Sequence, residues 1–295
     1  MSTRIRKPYV SGQFYPNNPS TLRKYIKDCY LDEYGPKKLP PGGSENVLGV
    51  VSPHAGYYYS GPIAAWSYLE ISSLKPEVVV IFGLSHEGYP GAAVLSEYSW
   101  ETPLGRLEPA TELAREISTR AGINDDIEAH MYEHSIEVQL PFLQDVYSHE
   151  FRIVPISIGM VPASTCEKIG IATAEAIKSK ELEKKTILIA STDMTHYGWN
   201  YGFAPAGHDT KKGLEFAHKI DKEAANAIAR LDATGFLNIS SKTTVCGRLP
   251  VATMIHAAKS LGAREGKILA YATSSEIRGG GGDLFVGYLS LAIYR

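Results

Sequence analysis

The sequence has little cysteine: three in 295 residues, Cys29, Cys166 and Cys246, set far apart. Scattered thiols of this number cannot build a disulfide framework, and their sparing use fits a reducing compartment. An excess of charge of one sign is also missing, since 30 Lys and Arg face 32 Asp and Glu for a formal net charge of −2. The basic residues form no run, so nothing electrostatic invites nucleic acid as a partner. No stretch approaches the roughly 18 uninterrupted apolar residues of a membrane span, and no membrane partner is expected. The opening MSTRIRKPYV carries charge without an apolar core, which argues against a secretory leader and for a cytoplasmic location. A Walker loop, a G-x-G-x-x-G after a strand, H-E-x-x-H and C-x-x-C are absent, as is G-x-S-x-G, so nucleotide and zinc-protease readings lack support.

What is present is ordinary globular material, 44% hydrophobic and 21% charged, in a chain long enough to bury a substantial core. Apolar, β-branched runs predict strands at 47–52, 78–84, 92–96, 152–158, 186–191, 267–273 and 284–293. Helical spacing predicts helices near 19–31, 134–147, 163–179 and 211–230, with Pro141 bending or restarting the second. The Pro/Gly-rich stretch at 36–46 reads as a surface loop within a domain, and GGGG at 279–282 as a flexible turn before the last strand. Strands alternating with helices, without internal repeat, predict a three-layer α/β/α domain with a largely parallel or mixed central sheet.

Two histidines stand out by position. His54 in VLGVVSPHAG and His86 in VVVIFGLSH each lie just past an apolar run, where open α/β sheets bind ligands. One such histidine is more often a buried, hydrogen-bonded residue than a ligand; the same placement twice favours a metal. Cys246, in TTVCGRLP, is either an ordinary buried thiol or, beside two imidazoles, a soft ligand that favours copper, zinc or iron over magnesium or calcium. Arg248, two residues on, could lower that thiol's pKa or bind a carboxylate or phosphate. STDMTHYG at 191–198 follows a third apolar strand and supplies Asp193 and His196. His196 reads as a general acid or base or a further ligand; Asp193 orients an imidazole, binds the metal, or caps the next segment. In YEHSIEVQLPF, Glu133 or Ser135 caps a helix and Glu137 faces solvent. His134, near that helix N-terminus, stays neutral and can donate a hydrogen bond to an anion or to dioxygen. His130, His149, His208, His218 and His256 read as surface or core residues.

The segments PHAGYYYSG at 53–61, GLSHEG at 83–88, EHSIEVQLPF at 133–142, STDMTHYG at 191–198 and CGRLP at 246–250 resemble, in this order, the motifs of the Memo (mediator of cell motility) family. The resemblance runs from about SGQFYP at residue 11 to the last strand. It implies a single domain over 1–295 with the fold of LigB-type class III extradiol dioxygenases. Position by position, it implies that His54, His86 and Cys246 line a metal pocket, with Asp193 and His196 close by. In those dioxygenases two histidines and a glutamate hold non-haem Fe(II), and a further histidine, matching His196 by its motif, moves protons. Here Cys246 stands where the enzymes have a carboxylate, a softer and oxidisable donor. The resemblance further implies iron or copper, with zinc a third option, and redox or dioxygenase-like activity on a small molecule in the pocket. In that scheme His196, Asp193 and His134 serve the chemistry, and Arg248 and Tyr57 contact the substrate. The alternative is a non-catalytic adaptor that binds metal or a (phospho)peptide, with Phe14, Tyr15, Tyr57, Tyr58 and Tyr59 forming an aromatic rim.

Overall fold

A segment that is apolar at every position makes a stable strand only if both its faces are covered, and the core strands are covered in that way. In the computed structural model, which describes residues 4–295, Val78, Val80 and Phe82 enter one core while Val79 and Ile81 enter the other. Leu188 and Ala190 divide in the same manner from Ile187 and Ile189. Residues 1–3, which belong to the expected 1–295 domain and to the N-terminal stretch read above, lie outside the described residues.

The strands Val78–Leu84, Thr186–Ser191 and Val47–Ser52 lie side by side and parallel. Arg152–Ile158 adds in parallel on one flank, and Phe285–Tyr294 and Glu265–Thr273 add antiparallel on the other, so the sheet is mixed. The helices Pro19–Leu31, Tyr57–Ile71 and Leu140–Val146 cover one face, and Thr111–Ala121, Ala163–Ser179 and Arg248–Ser260 pack on the opposite one. This is the three-layer α/β/α architecture expected. Short strands at Arg4–Arg6, Tyr98–Thr102 and Gly105–Pro109 extend the sheet edge; their charge and brevity hid them from the hydrophobic pattern.

One helical expectation changes, and one further helix forms where the pattern predicts none. The segment expected to be helical from 134 forms a single 3₁₀ turn, Glu137–Gln139, and then the helix Leu140–Val146. Pro141 stands at the start of that helix, where its missing N–H has no intrahelical partner to lose. Tyr57–Ile71 is a helix despite Gly61 and Pro62 inside it. Pro62 cannot donate to the Tyr58 carbonyl one turn back; Arg278 Nε donates to that carbonyl instead.

Candidate metal centre

Three neighbouring parallel strands deliver the site from their carboxyl ends. His54 follows Val47–Ser52, His86 follows Val78–Leu84 and Asp193 follows Thr186–Ser191, each by two residues. Cys246 arrives from another layer, at the turn before the helix Arg248–Ser260. Gly247 permits that approach, because a Cβ there would sit 2.3 Å from the Ser191 carbonyl oxygen and 2.5 Å from Thr192 Cβ. One donor atom each from His54, His86 and Cys246 lies within 4.8 Å of the others, with His54 Nε2 and Cys246 Sγ 3.3 Å apart. His86, Glu133 and His134 form a second cluster within the same limit.

Whether these groups suit a metal turns on which ring nitrogens are free. Ser191 Oγ gives its one hydrogen to the Ser135 carbonyl at 2.7 Å and accepts from Gln139 Nε2 at 2.9 Å. Toward His54 Nδ1, 2.8 Å away, it therefore acts as an acceptor. The His54 hydrogen is thus on Nδ1, and Nε2 presents its lone pair toward Cys246. His86 repeats the arrangement, with Nδ1 2.9 Å from Glu133 Oε1. That carboxylate is itself fixed by the backbone N–H groups of His86 at 2.6 Å and Ser135 at 2.7 Å. Holding Nδ1 so that Nε2 faces the cavity is what a metal-binding imidazole needs from its surroundings. Two imidazoles and one sulfur suit a soft or borderline cation, and the residues fit such a metal.

Charge reinforces the geometry. Burial, and then repulsion from His86, hold His54 well below the usual imidazole range; burial, His54 and His86 bring His134 to about 3. Both rings are therefore neutral near pH 7. Burial pushes Glu133 up, but the hydrogen bond and charge of His86, together with His134, outweigh it and bring Glu133 to about 2. Asp193 accepts from the His54 N–H at 2.8 Å, and burial raises its pKa against the pull of His196. Burial and the Asp193 charge push the Cys246 thiol far up. His196 has Nδ1 3.0 Å from the Met194 carbonyl and 3.2 Å from the Thr244 carbonyl. Both are acceptors, so Nδ1 carries a hydrogen and holds the ring with Nε2 as its remaining nitrogen.

A cavity of about 460 Å³ opens over these groups, lined by His54, His86, His134, Asp193 and His196 and walled by Phe14, Tyr59, Tyr201 and Tyr288. His134 stacks on His86 with ring centroids 4.2 Å apart. No helix starts at His134, the 3₁₀ turn beginning only at Glu137, so its neutrality comes from burial and the other imidazoles. Two residues assigned to substrate contact lie elsewhere. Arg248 is exposed on the first turn of its helix, and Tyr57 is buried, its hydroxyl donating to the Val138 carbonyl at 2.7 Å. Tyr15 is buried against Glu137 and Tyr58 lies under Arg278, so Phe14 and Tyr59 are the members of the expected aromatic rim that line the cavity.

Glu137 does not face solvent. It is fully buried and accepts from Arg6, the Tyr9 and Val10 N–H groups and the Tyr15 hydroxyl. Glu133 holds His86 rather than capping a helix. Sequence reasoning missed Ser191 and Gln139, which set the His54 tautomer. Their available signal was polar density: Glu133, Ser135, Glu137 and Gln139 alternate with Ile136, Val138 and Leu140, and all seven are buried.

Fold and site together define a three-layer α/β/α protein with a histidine and cysteine cluster that could hold a metal ion beyond its parallel strand ends. A family model described as Memo-like protein matches residues 6–292, and the chain belongs to that family. It is 41% identical to a MEMO1 family protein of Methanopyrus kandleri, over 98% of this chain and 99% of that one. It is 37% identical to one from Nitrosopumilus maritimus, over 96% and 98%, and 40% identical to one from Pyrobaculum aerophilum, over 99% and 100%. The crystal structure of an uncharacterized protein from Escherichia coli K12 superposes with a TM-score of 0.51 at 16% identity, covering 83% of this chain and 99% of that one. At that identity the likeness shows a common fold alone. Among the described residues, no helix is long and apolar enough to cross a membrane.

Proposed function

We propose that this protein is a cytoplasmic, single-domain, metal-dependent redox protein that acts on a small molecule held in the cavity, by dioxygenase-like or related oxidative chemistry. The observation that carries this reading is the convergence of two Nδ1-anchored imidazoles on Cys246, beside a third imidazole, His196, also held at Nδ1. His54, His86 and Cys246 would hold the metal, iron or copper before zinc, which when bound supplies a Lewis acid able to exchange electrons. His196 accepts a proton at Nε2 and returns it, while Asp193 holds the His54 backbone and opposes the charge that His196 gains. Neutral His134 orients the ligand by a hydrogen bond, and Phe14, Tyr59 and Tyr201 cover its apolar body and exclude water.

Metal content by elemental mass spectrometry, on protein purified anaerobically without an affinity tag, tests the reading. Near-stoichiometric iron or copper in the parent and its loss in Cys246→Ser support the assignment; equal metal in both refutes it. His196→Ala should retain the metal and lose turnover. A second reading, metal or peptide binding without turnover, draws on Tyr59 and Tyr201, 45% and 42% exposed at the cavity mouth. It predicts that His196→Ala leaves the protein's behaviour unchanged.

A further inference from the structure

Asp221 is a buried carboxylate outside the cavity, carried by the helix Thr210–Ala229. Among the described residues its hydrogen-bond partners are uncharged: the Thr195 N–H at 3.2 Å, the Thr195 hydroxyl at 2.6 Å and the Tyr271 hydroxyl at 2.7 Å. Thr195 adjoins His196 and lies two residues past Asp193. Because the Thr195 hydroxyl hydrogen goes to Asp221, Thr243 Oγ1, 2.5 Å from Thr195 Oγ1, must be the donor in that pair. Thr244 Oγ1 then accepts from the His196 N–H at 2.8 Å and donates to the His196 carbonyl at 2.7 Å. The Asp193 N–H donates to Cys246 Sγ at 3.3 Å. Segments 193–196 and 243–246 are thus stitched side by side, and Asp221 fastens one end of the seam.

Room for the carboxylate is made by Gly287, where a Cβ would lie 2.5 Å from Asp221 Oδ2 and 2.8 Å from the Tyr271 hydroxyl. The Gly287 backbone also brackets Thr195, accepting from the Met194 N–H at 2.8 Å and donating to the Thr195 carbonyl at 2.9 Å.

We propose that Asp221 is a positioning residue: by holding Thr195, and through it Thr243, it fixes His196 relative to Cys246. This rests on the reading of those two residues as working groups of the cavity. The surroundings call for an acceptor, since one N–H and two hydroxyls converge there; an amide would bring donors among donors. Burial raises the Asp221 pKa to about 6, so an ionised carboxylate here works against the fold, as expected of a group that serves the site rather than stability.

The test is Asp221→Asn, with Thr195→Val as an independent break of the same seam and Thr195→Ser as its conservative control. In metal-free protein labelled at histidine, the His196 ring resonances shift in Asp221→Asn and Thr195→Val, while those of His54 stay and Thr195→Ser resembles the parent. With cobalt(II) as the probe, the thiolate-to-cobalt absorption changes and affinity falls roughly tenfold or more in both variants. Folded Asp221→Asn or Thr195→Val with parental His196 resonances and cobalt spectrum would overturn the proposal, as would a lowered Tm as the only change. If the parent takes up no cobalt, the metal-centre reading fails, and the His196 resonances still decide the role of Asp221.

Discussion

The two walls of the cavity are each fastened by a buried carboxylate, but in opposite ways. On the wall built by 133–139, Glu137 meets the guanidinium of Arg6, with side chains 0% and 1% exposed. Arg6 in turn bonds the carbonyls of His130 and Glu133 and lies over Trp100, 4.5 Å from the ring centroid. On the wall built by 193–196 and 243–246, Asp221 is held by hydroxyls and an amide and forms no ion pair among the described residues. A matched charge makes the first wall a fixed brace, whose loss leaves a naked partner. An unmatched one makes the second wall sensitive to protonation.

The largest effect should come from breaking the brace. Arg6→Met strands the Glu137 carboxylate in the core and should cost about 3–5 kcal/mol in urea unfolding. A loss below about 1 kcal/mol would erase the contrast between the walls. The unmatched wall should show itself in pH. Asp221 is raised from the ordinary 3.8 to about 6 in the fold. The folded state therefore holds the proton more tightly, and this stabilisation is present below about pH 4 and lost as pH rises through 6. Two pKa units correspond to about 3 kcal/mol. The stability of Asp221→Asn relative to the parent should thus rise by up to that amount between pH 4 and 7; a difference independent of pH would contradict the assignment. Smaller again is the effect at the joint between brace and site. Glu133→Gln keeps the shape that holds His86 but removes the charge, and should weaken metal binding about 10- to 100-fold, read by competition with a chelator. Unchanged affinity would leave Glu133 as a packing residue.

The same contrast explains how much could be read from sequence. The central strands were legible because an apolar run with β-branched residues ends sharply at Ser52, Leu84 and Ser191, and the chain past those ends delivered His54, His86, Asp193 and His196 to one cavity. Cys246 joins them through a close turn at Gly247 that no periodicity announces; its motif alone pointed there. The helix Tyr57–Ile71 is hidden from the sequence pattern because most of its residues are buried, which removes the amphipathic stripe, so nothing in the pattern separates Tyr57, which is buried, from Tyr59, which lines the cavity. Arg6 and Glu137 are 131 residues apart in the chain, and Asp221 meets Thr195 across 26. Such pairings are fixed by tertiary packing, so single-residue reasoning left Glu137 in solvent and passed over Asp221.

Arg248 provides the smallest prediction and the sharpest one for the boundary of the site. It stands two residues from Cys246, close enough in sequence to suggest a shared role. Yet the turn at Gly247 sends the thiol inward against the strand end, while the helix that starts there sends the guanidinium outward into solvent. An exposed side chain without a hydrogen bond or ion pair among the described residues contributes little, so Arg248→Ala should change stability by less than about 0.5 kcal/mol. Metal content and cobalt spectrum should match the parent, in contrast to Cys246→Ser at the other end of the same turn. A loss of small-molecule binding in Arg248→Ala would mean that the cavity extends around the helix start, and would move the boundary of the second wall outward by one turn.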